Sequence, residues 1–135
     1  MIAGISHITF VVKDLDRTSV FLKKIFDAEE VYSSATVKYF LVNELWIALN
    51  KGESLPGRTY NHIAFAINDI DVEEYIKRIN AVGAKIIQGR TRRNGEGQSV
   101  YFYDYDNHLF ELHTGSLSER LTHIQATAEA ARPIV

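Results

Sequence analysis

The chain has 135 residues, 46% hydrophobic and 24% charged, with a formal net charge of -2. That length supports one domain with a proper core and excludes two independent ones. The near balance of charge gives no basis for a nucleic-acid or membrane partner, and the absence of cysteine excludes disulfides, thiolate zinc sites and a thiol nucleophile of the chain's own. Met1-Ile2-Ala3-Gly4 leads straight into a strand pattern with no basic segment followed by an apolar one. No apolar run approaches the ~20 residues of a membrane span. A cytoplasmic protein acting on a small molecule is expected.

The run from Ile5 to Val12 is rich in β-branched residues and too short for a helix, so it predicts a strand. Asp14 or Asp16 is positioned to cap a helix whose apolar residues Val20, Phe21, Leu22, Ile25 and Phe26 recur at roughly helical spacing. Three short strands follow, around Glu30-Ser33, Tyr39-Val42 and Leu45-Leu49, with Asn43-Glu44 as a two-residue hairpin turn. The first half thus reads βαβββ.

The second half repeats that order. His-Ile-Thr-Phe-Val-Val-Lys-Asp-Leu-Asp, from His7 to Asp16, returns as His-Ile-Ala-Phe-Ala-Ile-Asn-Asp-Ile-Asp, from His62 to Asp71. A strand over Ile63-Ile67 leads to a helix capped by Asp69 or Asp71 and stopped by Gly83. Strands at Ala84-Ile87, Ser99-Tyr103 and Leu109-His113 complete the module, with a polar loop from Gly89 to Gly97 and a turn through Asp104-Asn107. The fold class is therefore α+β, two tandem βαβββ modules over about residues 1–50 and 60–121. A linker spans about 51–59, and the Ala-rich tail, 122–135, is assigned no structure.

Three side chains suit a divalent ion: His7 and His62, at the repeated position, and Glu111, a carboxylate lodged in the apolar run Leu109-Phe110-Glu111-Leu112. An unpaired charge there would be costly. If the modules pack about a pseudo-two-fold axis, first strand beside last strand, the three converge. Two imidazoles and a carboxylate hold Mn, Fe, Zn or Ni with positions left open for substrate. Aligning Leu45-Trp46-Ile47 with Leu109-Phe110-Glu111 puts Ile47 at the fourth symmetry-related place, where it cannot bind metal. The competing reading is that histidines at strand starts are ordinary surface residues. His113 is an alternative ligand or a hydrogen-bonding neighbour, and His108 and His123 have no such support.

The repeated segment, together with Tyr60-Asn61-His62-Ile63-Ala64-Phe65 and the stretch from Gly95-Glu96-Gly97-Gln98-Ser99 through His113-Thr114-Gly115, resembles the fosfomycin-resistance enzymes of the vicinal-oxygen-chelate, glyoxalase I-like superfamily. The likeness runs from Met1 to about Leu121. It implies a homodimer in which modules of two subunits pair around Mn(II), held by His7 of one subunit and by His62 and Glu111 of the other. It also implies opening of the epoxide of a small phosphonate. By position, Thr9 falls near the oxirane, Tyr39 and Trp46 match pocket aromatics, Tyr60 and Tyr101 match tyrosines around the substrate, and Arg120 matches a phosphonate-binding arginine. The family's loop lysine is replaced by Thr91, with Arg92 and Arg93 to supply the charge. Ser99, in the same region, is assigned to the substrate; with Asn94 and Glu96 it also neighbours the K+ site of glutathione-using members.

The family adds glutathione, another thiol such as bacillithiol, or water. The segments from Ala28 to Ser34 and Tyr101 to Asp104 look most like the hydrolase branch, but those hydrolases carry a longer segment after the Ser-Ser, with a glutamate that activates water. Here Ser34 is followed only by Ala35-Thr36-Val37-Lys38 before Tyr39. Glu44 falls in the next hairpin turn, so the expected general base is missing. Glutathione transfer is the first expectation from sequence, with epoxide hydrolysis second. A small-antibiotic-binding protein of this fold is third, disfavoured by the open metal site.

Overall fold

In a computed structural model that describes residues 1–87 and 97–130, the first strand, β1 (His7–Val12), runs into helix α1 (Leu15–Phe26). The Asp14 carboxylate accepts from the Arg17 backbone N–H at 3.1 Å, filling one of the donors that a helix start leaves open. Asp27 ends the helix in the left-handed region, φ +54°. The buried face holds Leu15, Thr18, Ser19, Phe21, Leu22, Ile25 and Phe26, while Val20 is half exposed. Strands β2 (Glu29–Ser33), β3 (Val37–Val42) and β4 (Leu45–Lys51) follow. Asn43 takes φ +55° in the β3–β4 turn, as a tight hairpin needs.

The second module comprises β5 (His62–Ala66), a 3-10 turn (Asp69–Asp71), α2 (Val72–Ala81), β6 (Ile86–Ile87), β7 (Ser99–Tyr103) and β8 (Leu109–His113). Gly83, at φ +75°, follows α2. A third helix, α3 (Leu117–Ala130), occupies the region after Leu121 to which the sequence assigned no structure. Ser116 caps its start: Ser116 Oγ accepts from the Glu119 N–H at 3.1 Å and donates to the Glu119 carboxylate at 3.2 Å. That Ser-x-x-Glu spacing was the available signal.

The two sheets have the same order, β1-β4-β3-β2 and β5-β8-β7-β6, with first and last strands parallel. His7 stands opposite Trp46, and His62 opposite Leu109. Trp46 is thus the counterpart of Leu109, Ile47 of Phe110, and Ala48 of Glu111. This corrects the sequence alignment, which placed Ile47 opposite Glu111. A one-residue slip in a strand reverses every side chain, and Ile47 is wholly buried in the core while its counterpart Phe110 packs there too.

One apolar core serves both modules. Phe21 of α1 lies 5.9 Å, centroid to centroid, from Phe102 and 5.6 Å from Phe110, both on the second sheet. Phe26 is 4.9 Å from Phe65. Phe40, Ile47 and Leu49 of the first sheet join the same cluster. Asp106, almost fully buried, fastens the modules: its Oδ1 accepts from the Lys13 N–H at 2.9 Å and from Ser54 Oγ at 2.5 Å.

Because one strand parity enters this core, the other is turned away from it. In β1 and β5 the alternation is regular, with His7, Thr9, His62 and Ala64 exposed and Ile8, Phe10, Ile63 and Phe65 partly buried. A shared core predicts one cooperative unfolding transition for both modules. Phe21→Ala is expected to lower stability by about 3–5 kcal/mol in urea titration while keeping that single transition. Two separate transitions in the wild-type protein would contradict a common core.

Candidate metal centre

The second sheet brings two of the three metal-type residues together. The β5–β8 register places Glu111 opposite Ala64, on the face that also carries His62. His62 Nδ1 donates to the Tyr60 carbonyl at 2.7 Å, which puts the proton on that nitrogen and leaves Nε2 with a free lone pair in the neutral ring. That Nε2 lies 3.0 Å from Glu111 Oε1. Two acceptors face each other at hydrogen-bond distance, and only a cation, a proton or a metal ion, reconciles them. Such an imidazole with its other nitrogen bound to a backbone carbonyl is the usual state of a metal-ligating histidine.

Glu111 is 5% exposed, so its charge needs compensation. Its Oε2 accepts from Ser99 Oγ at 2.6 Å. Tyr101 stands directly opposite Glu111, its ring edge-on to His62 at 5.5 Å. The Tyr60 and Tyr101 hydroxyls lie 3.2 Å apart. The second sheet thus gathers His62, Glu111, Tyr60, Tyr101 and Ser99.

On the first sheet, His7 stacks on Trp46 with ring centroids 4.1 Å apart. Tyr39 meets Trp46 edge-on, 5.1 Å away, and Tyr32 lies tilted against Tyr39 at 5.2 Å. Trp46 Nε1 is buried and has no hydrogen-bond partner among the described residues. Thr9 stands on the same face as His7, opposite Ala48, the small residue at the place corresponding to Glu111. Lys38 belongs to the other parity of β3 and is engaged, its Nζ 3.0 Å from Glu30 and 3.2 Å from Asp16. The hydrogen bond from Lys38 holds the Glu30 carboxyl below its ordinary pKa, and the Lys38 ammonium is correspondingly held above its own.

One chain does not bring the three candidate residues together. Among the described residues no three His, Asp or Glu side chains form a ready metal site, because His7 belongs to one outward sheet face and His62 with Glu111 to the other. Arg120 lies half-buried in the first turn of α3. Arg92 and Arg93, with Thr91, Asn94 and Glu96, lie outside the described residues. A hollow of about 650 Å³ lies elsewhere, at the start of α1, lined by Lys13, Arg17, Lys38 and Lys51 among others. The Ser99–Glu111 hydrogen bond and the His7–Trp46 stack were not anticipated, since both depend on cross-strand register.

The fold and donor set agree with comparisons to known proteins. The family model described as the Glyoxalase/Bleomycin resistance protein/Dioxygenase superfamily matches residues 4–112. Fosfomycin resistance protein FosX of Listeria innocua is 58% identical over 128 residues, covering 90% of this chain and 96% of that protein. Metallothiol transferase FosB of Bacillus licheniformis is 38% identical over 128 residues, covering 92% and 83%. A crystal structure of a FosX mutant from Listeria monocytogenes, complexed with Mn(II) and 1S,2S-dihydroxypropylphosphonic acid, superposes with a TM-score of 0.88 at 55% identity over 92% of this chain and 99% of that one. The chain belongs to this superfamily and, within it, to the fosfomycin-resistance proteins.

His62 and Glu111 fit a divalent ion of the Mn(II) type, supplying one imidazole nitrogen and one carboxylate oxygen. Glu111→Gln keeps the size and removes the charge. It is expected to weaken Mn(II) binding at least about tenfold, read as free Mn(II) by electron paramagnetic resonance. Unchanged affinity would remove Glu111 from the ligand set.

Proposed function

We propose that this protein inactivates phosphonate epoxides of the fosfomycin type by metal-assisted ring opening, at a site completed by two copies of the chain. The observation that carries the proposal is His62 Nε2 facing Glu111 Oε1 at 3.0 Å, beside a tyrosine pair and on a face turned away from the core. A divalent ion there supplies charge stabilisation for the oxygen released from the ring. His7 of a second copy completes the ligand set, because its own sheet faces away from His62 within one chain.

Roles for the remaining residues follow from their chemistry. Thr9, two residues from His7, offers a hydroxyl beside the epoxide. Tyr39 and Trp46 wall the pocket around its carbon skeleton. Tyr60 and Tyr101 direct hydroxyls to the phosphonate, a dianion that also needs cations; Arg120, with Arg92 and Arg93, supplies these. K+ assists at the loop as in glutathione-using members. Water and reduced thiols are both available in the cytoplasm, the compartment this reading assigns. No helix among the described residues is long and apolar enough to cross a membrane.

Water is the nucleophile we favour. FosX proteins from three organisms share 48% to 58% identity with the chain, against 38% for FosB. The dihydroxypropylphosphonic acid in the FosX crystal is the diol that water addition to such an epoxide leaves. Thiol addition, with glutathione as co-substrate, is the second reading and rests on a specific feature. The turn between β2 and β3 is Ser34-Ala35-Thr36, without a carboxylate. Glu44, in the β3–β4 turn, lines a hollow with Phe26, Phe65 and Tyr75, at the edge of the core rather than beside Thr9.

Incubation of the Mn(II)-loaded protein with fosfomycin, with and without glutathione, and product identification by mass spectrometry separates these readings. Diol in both incubations is expected. A thiol adduct formed only with glutathione would establish the second reading, and unchanged drug in both would contradict the proposed activity.

A further inference from the structure

His113 and Ser99 form the first two members of a hydrogen-bonded chain that ends on the Glu111 carboxylate. Ser99 stands directly opposite His113 in the β7–β8 ladder, and Glu111 is two residues before His113, on the same face. Ser99 Oγ lies 2.6 Å from Glu111 Oε2 and 2.8 Å from His113 Nδ1. A hydroxyl has one proton to give. A carboxylate can only accept, so Ser99 donates to Glu111 and the His113 ring donates its Nδ1–H to Ser99. The serine proton is thereby committed to Glu111.

The start of the ladder is built to hold this pairing. Gly97 takes φ +77°, and a Cβ there would lie 2.6 Å from the Gly115 backbone nitrogen. The Gln98 N–H donates to Thr114 Oγ1 at 2.8 Å, and the Thr114 N–H donates to the Gln98 carbonyl at 3.0 Å. These contacts clamp the strand ends together and fix Ser99 against His113.

We propose that Ser99 is a positioning residue for Glu111, oriented in turn by His113, and that the relay restricts the carboxylate to presenting one oxygen, Oε1, beside His62. The relay holds Oε2 while Oε1 lies 3.0 Å from His62 Nε2, so the two oxygens have separate tasks. This rests on the metal reading of His62 and Glu111. Hydrogen bonds behind a ligand are expected to raise metal affinity about 10–100-fold.

The test is Mn(II) binding to the full-length protein by electron paramagnetic resonance, recording both affinity and spectrum, with thermal melting of each variant. Ser99→Ala is expected to weaken binding about 10–100-fold and to change the bound Mn(II) spectrum at an unaltered melting temperature. Ser99→Thr keeps the hydroxyl on a β-compatible residue and is expected to restore affinity and spectrum. His113→Asn, whose amide can donate where Nδ1 does, should bind more tightly than His113→Leu. Ser99→Ala with wild-type affinity and spectrum, or a Ser99→Thr variant that fails to rescue, would overturn the relay and leave the metal reading standing. A wild-type protein that binds no Mn(II) would overturn the metal reading itself.

Discussion

The placement of Phe21 and Phe26 between two sheets is the constraint on which the rest of the molecule depends. These rings sit on a helix of the first module and pack against Phe65, Phe102 and Phe110 of the second. Burying an aromatic ring of this size is worth about 1.5–3 kcal/mol, and well-placed ring pairs add about 0.5–1.5 kcal/mol. With one parity of every long strand committed to that core, chemistry is left to the other parity. His7 and Thr9 stand on one outward face, and His62, Tyr101 and Glu111 on the other. A core shared within the chain thus imposes a site shared between chains, on the reading proposed above.

Much of this was legible from residues 7–16 and 62–71, whose likeness reveals the duplication and pairs His7 with His62. The apolar setting of Glu111 marks it as a charge that needs a partner, and its partners are His62 and Ser99. Local rules also served well at Asp14, which caps α1, and at Asn43, which takes the left-handed conformation in its hairpin.

What the sequence did not yield depends on register. Aligning Leu45-Trp46-Ile47 with Leu109-Phe110-Glu111 matches similar residues but ignores that β3 and β4 are joined by a two-residue turn, whereas Asp104 to His108 separate β7 from β8. The backbone pairing and the burial of Ile47 settle the matter in favour of Ala48. That Ser99 faces His113 and bonds Glu111 across a ladder could not be read either, because nothing local in the sequence shows it. The third helix was missed for a different reason: an alanine-rich tail carries little amphipathic signal, and its cap at Ser116 is a short one. Arg92 and Arg93 lie outside the described residues.

Subunit complementation tests most directly whether two copies share each site. His7→Ala and Glu111→Gln variants, each inactive alone, are unfolded together, refolded and assayed with fosfomycin. If His7 comes from one copy and His62 with Glu111 from the other, a mixed dimer holds one doubly defective site and one intact site. Random pairing should then return about a quarter of the wild-type activity, as expected for a symmetric two-subunit assembly. No recovery, from variants that each refold and dimerise normally, would show that each site draws all its ligands from a single chain.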